Sequence, residues 1–576
     1  MNWKLKEKLA ARLARETGAI VYPAGGRTRF ALAYPNSYFV GMSNLGLHII
    51  YEVLNRRQDT ACERFFLPDG REMDEYRRTR TPLLSMETQS PLSEFDIVGF
   101  AVSFEMDYFH LLDMLEAGRV PTLAAERDER SPLVIAGGPC ATFNPEPLSL
   151  FVDAFVIGEG EETVGRFMDV YLAARKEGAT REEMLRRLSS VPGIYVPSRY
   201  EHSYNALGAL DAIRPVGDAP LRVERQWVKN LDDYPAHTVV VTEETEFDLY
   251  LVETARGCGR HCRFCMAGYC FRRPRNRSLA VLRDAVKNAK VHGKRIGLMG
   301  AAISDYPEID ALSRFILSEG LTMSVASFRA DSVTETMVRS LAESGMKTIT
   351  LAPEAGSARM RAVINKGIEE EHLFRAMDLG MAAGIRHYRL YIMVGLPYET
   401  QEDVDAVADL AGRLKDYLEA HTSRSTLTLS VNPFIPKPFT PFQWAAMADK
   451  SYIEVALKRL KKSLSGRKGI EMIAEPTKSA YIQGVLARGD RRVSRALYRA
   501  HQLGGAKTFH RAMKEEGLRE EFYLYRESGE DDQFPWDVLD MGVKKSYLYE
   551  EWKRAGRLEA TVPCFDGCRR CGVCGE

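Results

Sequence analysis

Three cysteines stand close together near the middle of the chain. The segment 256–268 reads RGCGRHCRFCMAG and contains Cys258, Cys262 and Cys265, separated by three and then two residues. Cysteine thiolates are the soft ligands that iron–sulfur clusters take, and three of them can hold three irons of a cubane cluster. The remaining iron keeps an open position, which a small molecule can chelate with an amino and a carboxylate group. The spacing therefore predicts a redox-active cluster that binds its substrate directly.

The competing interpretation of this segment is a zinc site. Zinc sites usually take four ligands in paired Cys-x2-4-Cys halves that a longer loop separates, and this segment has three. The Cys-x3-Cys-x2-Cys spacing, with the aromatic Phe264 before the last cysteine, resembles the motif of the radical S-adenosylmethionine (SAM) superfamily. The resemblance implies a [4Fe–4S] cluster on Cys258, Cys262 and Cys265, bound SAM, and a 5′-deoxyadenosyl radical that abstracts hydrogen. It also implies an electron donor such as ferredoxin or flavodoxin.

This motif opens a series of alternating strand and helix patterns. Strand candidates lie at 248–256, 295–300, 323–328, 348–354, 387–395 and 427–434, and an amphipathic helical stretch follows each of them. Six such βα units predict a partial (β/α)6 barrel rather than an eight-unit one. By resemblance, residues at the ends of these strands contact SAM. The predicted contacts are Gly300, Ala301, Ser327, Arg329, Glu354 and Gly395.

Upstream, a second alternating series predicts a doubly wound parallel sheet. Apolar runs at 29–35, 96–103, 133–138 and 152–157 end in loops rich in Gly, Pro or Ser, and one helix is predicted over 161–188. Such sheets bind ligands outside the carboxyl ends of their strands, where the strand order reverses. The candidate ligand contacts at these ends are Asn36, Ser103, Gly137, Gly138 and Glu159.

Three segments of this region, SFEMD, IAGGPCATFNPEPL and FVIGEGEET, resemble the Rossmann-like, cobalamin-binding-type domain that precedes many radical SAM cores. The resemblance implies a corrinoid on the strand ends, and Gly137 and Gly138 would let the backbone approach a large flat ligand. The Asp-x-His-x-x-Gly loop that supplies a lower axial histidine is missing, because the matching loop, residues 36–41, reads NSYFVG. We interpret His48 and His110 as packed or solvated helix residues rather than ligands.

A second cysteine group lies in the segment CFDGCRRCGVCGE, residues 564–576. Cys564, Cys568, Cys571 and Cys574 are spaced by three, two and two residues. Four cysteines within eleven residues can wrap one cubane cluster, so we predict an auxiliary [4Fe–4S] cluster, with zinc as the alternative. Nearly the whole chain resembles the uncharacterised B12-binding-domain subfamily of radical SAM proteins that ends in such a Cys-rich tail.

Length and composition set the broad organisation. A chain of 576 residues exceeds what a single hydrophobic core supports. We predict a cobalamin-binding-type domain at 1–190, a linker at 191–245, a radical SAM partial barrel at 246–445 and a mostly helical region with the Cys-rich tail at 446–576. Lys+Arg and Asp+Glu both number 79, so the net charge gives no argument for a polyanionic partner.

Two basic stretches could contact a phosphate backbone: Arg272, Arg273, Arg275 and Arg277, and the lysines and arginines of 458–468. The favoured interpretation of both is a solvated charged face. The substrate is unknown and a macromolecule (RNA or protein) is possible. The sequence shows neither a secretory signal nor an apolar run long enough for a membrane span, so we expect no membrane partner and a cytoplasmic, reducing location.

The leading functional hypothesis is a cobalamin-dependent radical SAM methyltransferase or a related radical modification enzyme. The first alternative is a methylthiotransferase-like enzyme that modifies RNA or protein without a corrinoid, although such enzymes usually carry their second cluster on three N-terminal cysteines. The second alternative is a corrinoid or redox-responsive binding protein without turnover, which the intact cysteine triad disfavours.

Overall fold

A computed structural model describes residues 2–23, 25–565 and 567–574. The strands, numbered β1 to β19 in chain order, are Thr28–Tyr34, Thr60–Phe66, Ile97–Ala101, Leu133–Gly137, Ala154–Val156, Ile194–Tyr195, Tyr200–Tyr204, Leu210–Pro215, Val223–Glu224, Leu249–Glu253, Ala255–Arg256, Arg275–Asn276, Arg295–Met299, Met323–Ser324, Thr348–Glu354, His387–Val394, Thr426–Pro433, Ile470–Ala474 and Leu539–Asp540. The helices, numbered α1 to α20, are Trp3–Leu13, Tyr38–Gly41, Leu45–Asn55, Gly70–Thr79, Asp107–Ala117, Pro139–Phe143, Gly160–Lys176, Arg181–Ser189, Leu279–Val291, Ile309–Ser318, Glu335–Glu343, Ala358–Val363, Glu370–Ala382, Gln401–His421, Lys450–Leu464, Thr477–Arg488, Val493–Leu503, Phe509–Glu515, Glu520–Leu524 and Lys545–Gly556.

The chain folds into two compact units. Unit 1 contains Met1–Leu249, Val485–Glu520 and Asp531–Gly542, and unit 2 contains Tyr250–Gly484, Glu521–Glu530 and Val543–Glu576. Both units therefore draw on distant parts of the chain. The four segments expected from the sequence remain a prediction.

Unit 1 is built on a six-stranded sheet in the order β2-β1-β3-β4-β5-β6. Strands β1 to β5 run parallel and β6 is antiparallel to β5. The strand order reverses between β1 and β3, and the crevice outside the carboxyl ends of these two strands is where open α/β sheets bind ligands. The predicted doubly wound parallel sheet is confirmed.

Two features of unit 1 differ from the sequence-based expectation. Strand β2 was not predicted, because its segment TACERFF carries charges that usually face water; here Arg64 is 1% exposed and its guanidinium pairs with Glu16 and Glu87. The single helix predicted over 161–188 is wrong. Gly178, with a φ of 70°, follows the end of α7, and the Thr180 side chain caps α8.

Unit 2 is built on parallel strands that follow chain order. One sheet has the order β10-β13-β14 and a second has the order β15-β16-β17-β18, and a parallel bridge between Phe328 and Leu351 joins them. This is the partial (β/α) barrel expected from the sequence. Strand β18 adds a seventh strand in a region that was predicted to be mostly helical, where it pairs with β17 as an edge strand with mostly exposed side chains.

No helix within the described residues is long and apolar enough to cross a membrane.

Gly137 and Gly138, at the end of β4, provide a test of the backbone packing at this end of the sheet. Gly138 has a φ of 97°, and a Cβ there would lie 2.7 Å from the Val102 carbonyl oxygen, whereas a Cβ on Gly137 would meet Val156 at an ordinary 3.6 Å. Gly138→Ala should destabilise the protein by about 1–3 kcal/mol from backbone strain, and further through the clash. Gly137→Ala is the matched control and should change the thermal unfolding midpoint little. Equal midpoints for the two variants would contradict this account.

Candidate functional site

The cysteine motif occupies the loop that follows the first barrel strand. Strand β10 leads through Ala255 and Arg256 into Gly257, where a Cβ would lie 2.1 Å from the Phe271 carbonyl oxygen. Within the loop, the Cys265 N–H donates to the Cys262 carbonyl at 3.1 Å. The Arg260 N–H donates to the Cys258 sulfur at 3.4 Å. These short-range bonds fold the three cysteines into one compact turn.

The three thiols lie within electrostatic range of one another. Burial raises the pKa of Cys265 to about 12, and the neighbouring Cys262 and Cys258 thiols act in the same direction. Burial also raises the pKa of Cys258, again with a contribution from Cys262. Grouped thiols of this kind ionise when a metal binds them, so the donor set fits a three-cysteine iron–sulfur cluster. Within the described residues, no set of three or more His, Cys, Asp or Glu side chains is already arranged to hold a metal ion.

Four predicted site residues come together beside this loop. Arg329 directs Nη1 at the Cys262 sulfur, 3.8 Å away. Lys366 donates from Nζ to Glu354 Oε1 at 3.0 Å and lies 5.6 Å from the centre of the Phe264 ring. The Arg329 guanidinium also donates to the Lys366 carbonyl at 2.8 Å. Cys262, Phe264, Arg329 and Glu354 thus share one environment with Lys366.

Glu354 has an unusual backbone conformation at this site. It ends β15 with a φ of 68°, and the register between β15 and β16 shifts just before it. A non-glycine residue in the left-handed region costs of order 1 kcal/mol and persists only where its surroundings enforce it. The bulge turns the Glu354 carboxylate toward Lys366, next to the cluster loop.

Sequence reasoning missed the turn at residues 364–367, which we call the clamp turn. The Arg263 N–H donates to the Ile364 carbonyl at 2.9 Å, and Asn365 Nδ2 donates to the His261 carbonyl at 3.0 Å. Together with the bond from Arg329 to Lys366, these contacts fix the clamp turn to the cluster loop. The Asn-Lys-Gly sequence at 365–367, typical of a left-handed turn, was the available signal; Asn365 and Gly367 have φ values of 48° and 65°.

A cavity of about 370 Å³ continues from Phe264 and Glu354 along β16 and β17 to Glu475, the residue after β18. This size lies within the usual range for small-molecule sites. Residues that the sequence analysis did not single out line it: Tyr391, Asn432, Lys437, Glu475 and Gln483.

The remaining predicted SAM contacts lie at other strand ends. Gly300 and Ala301 are exposed after β13, and Ser327 is half-buried two residues before Arg329. Gly395 follows β16 with a φ of 80°, and a Cβ there would lie 2.3 Å from Ile453 Cδ1, so helix packing explains this glycine. The roles of these residues stay predictions.

The basic stretch after the loop is not a solvated face, contrary to the favoured interpretation. Arg272, Arg275 and Arg277 are buried. Arg277 Nη2 donates to Glu253 Oε2 at 2.7 Å. Burial would raise the pKa of Glu253, but Arg256 and Arg277 together hold it below its usual value. These arginines therefore serve packing and charge pairing within unit 2.

The tail cysteines also form a group inside unit 2. Cys568 and Cys571 are 3% and 1% exposed, and Cys564 and Cys574 are half-buried. Burial raises the pKa of Cys564, Arg272 lowers it, and the other three thiols raise it. Burial acts to raise the pKa of Cys568, but the Arg570 guanidinium and backbone hydrogen bonds together hold it below its usual value. Four grouped thiols beside two cations fit an anionic metal centre.

In unit 1, a polar network occupies the carboxyl ends of β1 and β3. Asn36 Nδ2 donates to Asp107 Oδ1 at 3.0 Å, and Asn44 Nδ2 donates to Ser103 Oγ at 3.3 Å. Asp107 also lies 3.3 Å from His110 Nδ1, and this hydrogen bond raises the pKa of His110 despite burial. The network lies at the point where the strand order reverses.

Two other candidate residues of unit 1 are engaged in packing. Burial lowers the pKa of His48 to about 4, its Nε2 lies 3.0 Å from the Met42 carbonyl, and its Nδ1 accepts from the Val240 N–H at 3.3 Å. This is the packed role that we expected. The Glu159 carboxylate accepts from the Val228 N–H at 2.8 Å, and its assignment as a ligand contact stays a prediction.

Comparison with known proteins places the chain among related sequences and folds. Residues 46–197 match the family described as radical SAM proteins, N-terminal, and residues 252–411 match the radical SAM superfamily. The chain is 30% identical over 473 residues to the uncharacterized protein MJ0966 of Methanocaldococcus jannaschii, covering 81% of this chain and 90% of that protein.

Among solved structures, the radical SAM methyltransferase TsrM from Kitasatospora setae, with cobalamin and a [4Fe–4S] cluster bound, aligns with a TM-score of 0.52 at 14% identity. The alignment covers 85% of this chain and 99% of TsrM. The cobalamin-dependent radical SAM enzyme OxsB with aqua-cobalamin bound aligns with a TM-score of 0.48 at 14% identity, covering 86% of this chain and 72% of OxsB.

Glu399 gives a pH-dependent test of the region around Gly395. Burial raises the pKa of Glu399 to about 7, although the Gly395 N–H and the Tyr452 hydroxyl donate to it at 2.7 and 3.0 Å. The folded state therefore keeps this carboxyl protonated where the unfolded state ionises it. The contribution of Glu399 to the free energy of unfolding is fully present below its unfolded pKa of about 4.3. This contribution is lost as the pH rises through its folded pKa of about 7.

Glu399→Gln keeps the acceptor oxygen but cannot ionise. Its thermal unfolding midpoint should match that of the wild type near pH 4 and exceed it at pH 8, by an amount equivalent to about 3–4 kcal/mol. Glu402→Gln, at an exposed position in the first turn of α14, is the control and should show no such rise. Parallel profiles for the wild type and Glu399→Gln would refute the assignment.

Proposed function

This chain belongs to the radical SAM superfamily, and from that premise we propose that unit 2 cleaves SAM reductively and that unit 1 holds a corrinoid for methyl transfer. The observation that carries the proposal is the loop of Cys258, Cys262 and Cys265 with Arg329 directed at the Cys262 sulfur. When bound, a [4Fe–4S] cluster would supply one electron to the SAM sulfonium, so that the S–C5′ bond breaks and gives methionine and the 5′-deoxyadenosyl radical.

The residues around the loop have distinct roles in this proposal. The three thiolates hold the cluster, and the Arg329 cation offsets their negative charge. Glu354 is the group that would bind the SAM amino group, in exchange for its present partner Lys366. Lys366 is then available to the SAM carboxylate, so the salt bridge between Glu354 and Lys366 stands in for the two charges of the ligand.

The cavity beside Phe264 supports a bound small molecule in the same place. Its lining combines the apolar side chains of Ile392, Met393 and Phe434 with the polar groups of Asn432 in β17 and Glu475 just after β18. Apolar side chains beside the cluster loop and polar groups farther along suit a small molecule that has to be held in a fixed orientation.

The polar network at the ends of β1 and β3 supports a ligand in unit 1. Asn36, Ser103 and Asp107 meet where a sheet of this order binds its ligands. TsrM, whose fold is similar, binds cobalamin. His48 is packed within unit 1, so the corrinoid that we propose has no axial ligand from this histidine. A reducing cytoplasm suits the proposed chemistry.

Removal of any motif cysteine should abolish SAM cleavage. Cys258→Ala, Cys262→Ala and Cys265→Ala should each lose about four irons per chain, and the part of the absorbance that these irons contribute, after anaerobic reconstitution. None should release 5′-deoxyadenosine from SAM in the presence of a chemical reductant. Cys62→Ala, in the core of unit 1, is the control and should retain both. Full cleavage by a motif variant would refute the proposed role of the triad.

Corrinoid binding should be visible without any substrate. Wild-type protein incubated with hydroxocobalamin and passed through gel filtration should retain about one corrinoid per chain. After reduction, the Co(II) electron paramagnetic resonance signal should lack nitrogen splitting from a protein imidazole. His110→Ala should give the same spectrum. Absence of retained corrinoid would remove methyl transfer from the proposal and leave SAM cleavage standing.

A further inference from the structure

The tail that carries the second cysteine group is fastened directly to the loop that carries the first. The Cys564 N–H donates to the Gly259 carbonyl at 2.8 Å, one residue after Cys258. Upstream, the Thr561 N–H donates to Asn365 Oδ1 and Asn365 Nδ2 donates to the Thr561 carbonyl, both at 2.9 Å. Asn365 belongs to the clamp turn, so one residue holds the cluster loop and the tail together.

Buried charges reinforce this attachment. Arg263, between two motif cysteines, is fully buried and donates from Nε to Glu551 Oε2 at 3.2 Å and from Nη2 to the Glu559 carbonyl at 2.5 Å. Glu551 in turn accepts from Thr561 Oγ1 at 2.7 Å. A buried guanidinium needs such partners, since breaking a buried pair costs about 3–5 kcal/mol. The segment that precedes the tail cysteines is therefore an integral part of the fold of unit 2.

His261 connects the two cysteine groups. It lies between Cys258 and Cys262, and its Nε2 is 3.6 Å from the Cys564 sulfur. Its Nδ1 is 2.8 Å from the Tyr547 hydroxyl, which can donate a hydrogen, whereas Arg272 Nη1 lies 3.3 Å from both ring nitrogens. With Nδ1 accepting, Nε2 carries the hydrogen and donates it to the Cys564 sulfur.

The surroundings of the tail favour a metal centre rather than free thiols. Arg570 Nε donates to the Cys568 sulfur at 3.2 Å. Arg272 is buried, and its cation lowers the pKa of Cys564, the direction that favours the thiolate. The Lys544 N–H donates to the Cys571 carbonyl at 2.9 Å. Hydrogen bonds to the sulfurs and nearby cations are the means by which a protein sets the reduction potential of an iron–sulfur cluster.

We propose that Cys564, Cys568, Cys571 and Cys574 hold a second [4Fe–4S] cluster, which delivers single electrons to the first cluster through Cys564 and His261. The inference rests on the function proposed above for the first cluster. A reduced flavodoxin or ferredoxin gives one electron to the tail cluster, which passes it to the oxidised cluster on Cys258, Cys262 and Cys265. The donor is oxidised and the first cluster reduced by that one electron, and no bond is made or broken. His261 is a positioning residue in this path.

The first experiment counts metals. Wild-type protein should contain about eight irons and the double variant Cys568→Ala/Cys571→Ala about four after anaerobic reconstitution, with no zinc. The double variant should still cleave SAM at the wild-type rate with titanium(III) citrate, a small reductant that reaches both sites. With reduced flavodoxin its rate should fall several-fold below that of the wild type.

Three outcomes would overturn the inference. One zinc per wild-type chain with only about four irons would make the tail a structural zinc site. An unchanged ratio of the flavodoxin rate to the titanium rate in the double variant would remove the electron path. Failure of the wild-type protein to bind the first cluster or to cleave SAM would instead refute the function proposed above, and this inference with it. The wild-type metal count decides between iron and zinc even where the double variant fails to fold.

Substitution of His261 tests the electron path while leaving the cysteine ligands of both clusters in place. His261→Leu should keep about eight irons and lose rate only with flavodoxin, because the hydrogen bond to the Cys564 sulfur is gone. His261→Gln keeps a donor at this position and should restore part of the rate. Equal flavodoxin rates for His261→Leu and the wild type would exclude His261 from the path.

Discussion

The three motif thiols depend on a buried guanidinium that lies between two of them. Arg263 is fully buried, and it donates to the Ala362 and Val363 carbonyls at 3.0 and 2.9 Å as well as to the tail. A charge in that position is stable only with every donor engaged. The loop therefore takes its shape from the end of α12 and the clamp turn together with its own short-range bonds.

The charge around this loop differs from the charge of the chain as a whole. The net formal charge is zero, with 79 basic and 79 acidic residues. Near the cysteines, however, the cations Arg260, Arg263, Arg272, Arg329 and Lys366 cluster, and carboxylates pair with several of them. Such a field offsets the negative charge that thiolate-bound clusters and a carboxylate ligand bring with them. The composition of the whole chain does not reveal this local balance of charges.

The parts of the site that lie close together in the sequence could be predicted. The parts that depend on contacts between residues far apart in the sequence could not. The spacing of Cys258, Cys262 and Cys265 was sufficient for the chemistry, and strand periodicity was sufficient to place Arg329 and Glu354 at strand ends. Lys366 and Asn365 act from a turn after a short helix, and no periodic pattern marks them. Charged strands such as β2 escape a pattern analysis because ion pairing, not hydrophobicity, makes their burial possible. The attachment of the tail depends on contacts between residues about 300 positions apart.

That separation also orders events in time during synthesis. Residue 261 is made before residue 564, and their contact spans 303 positions. At about 5–20 residues per second, roughly 15–60 s pass between the appearance of the cysteine loop and the arrival of the segment that fastens it. During this interval the loop lacks its partners from the tail and its thiols are open to oxidants and stray metals. The cysteine loop therefore gains its partners from the tail only after the roughly 300 residues between them have been translated.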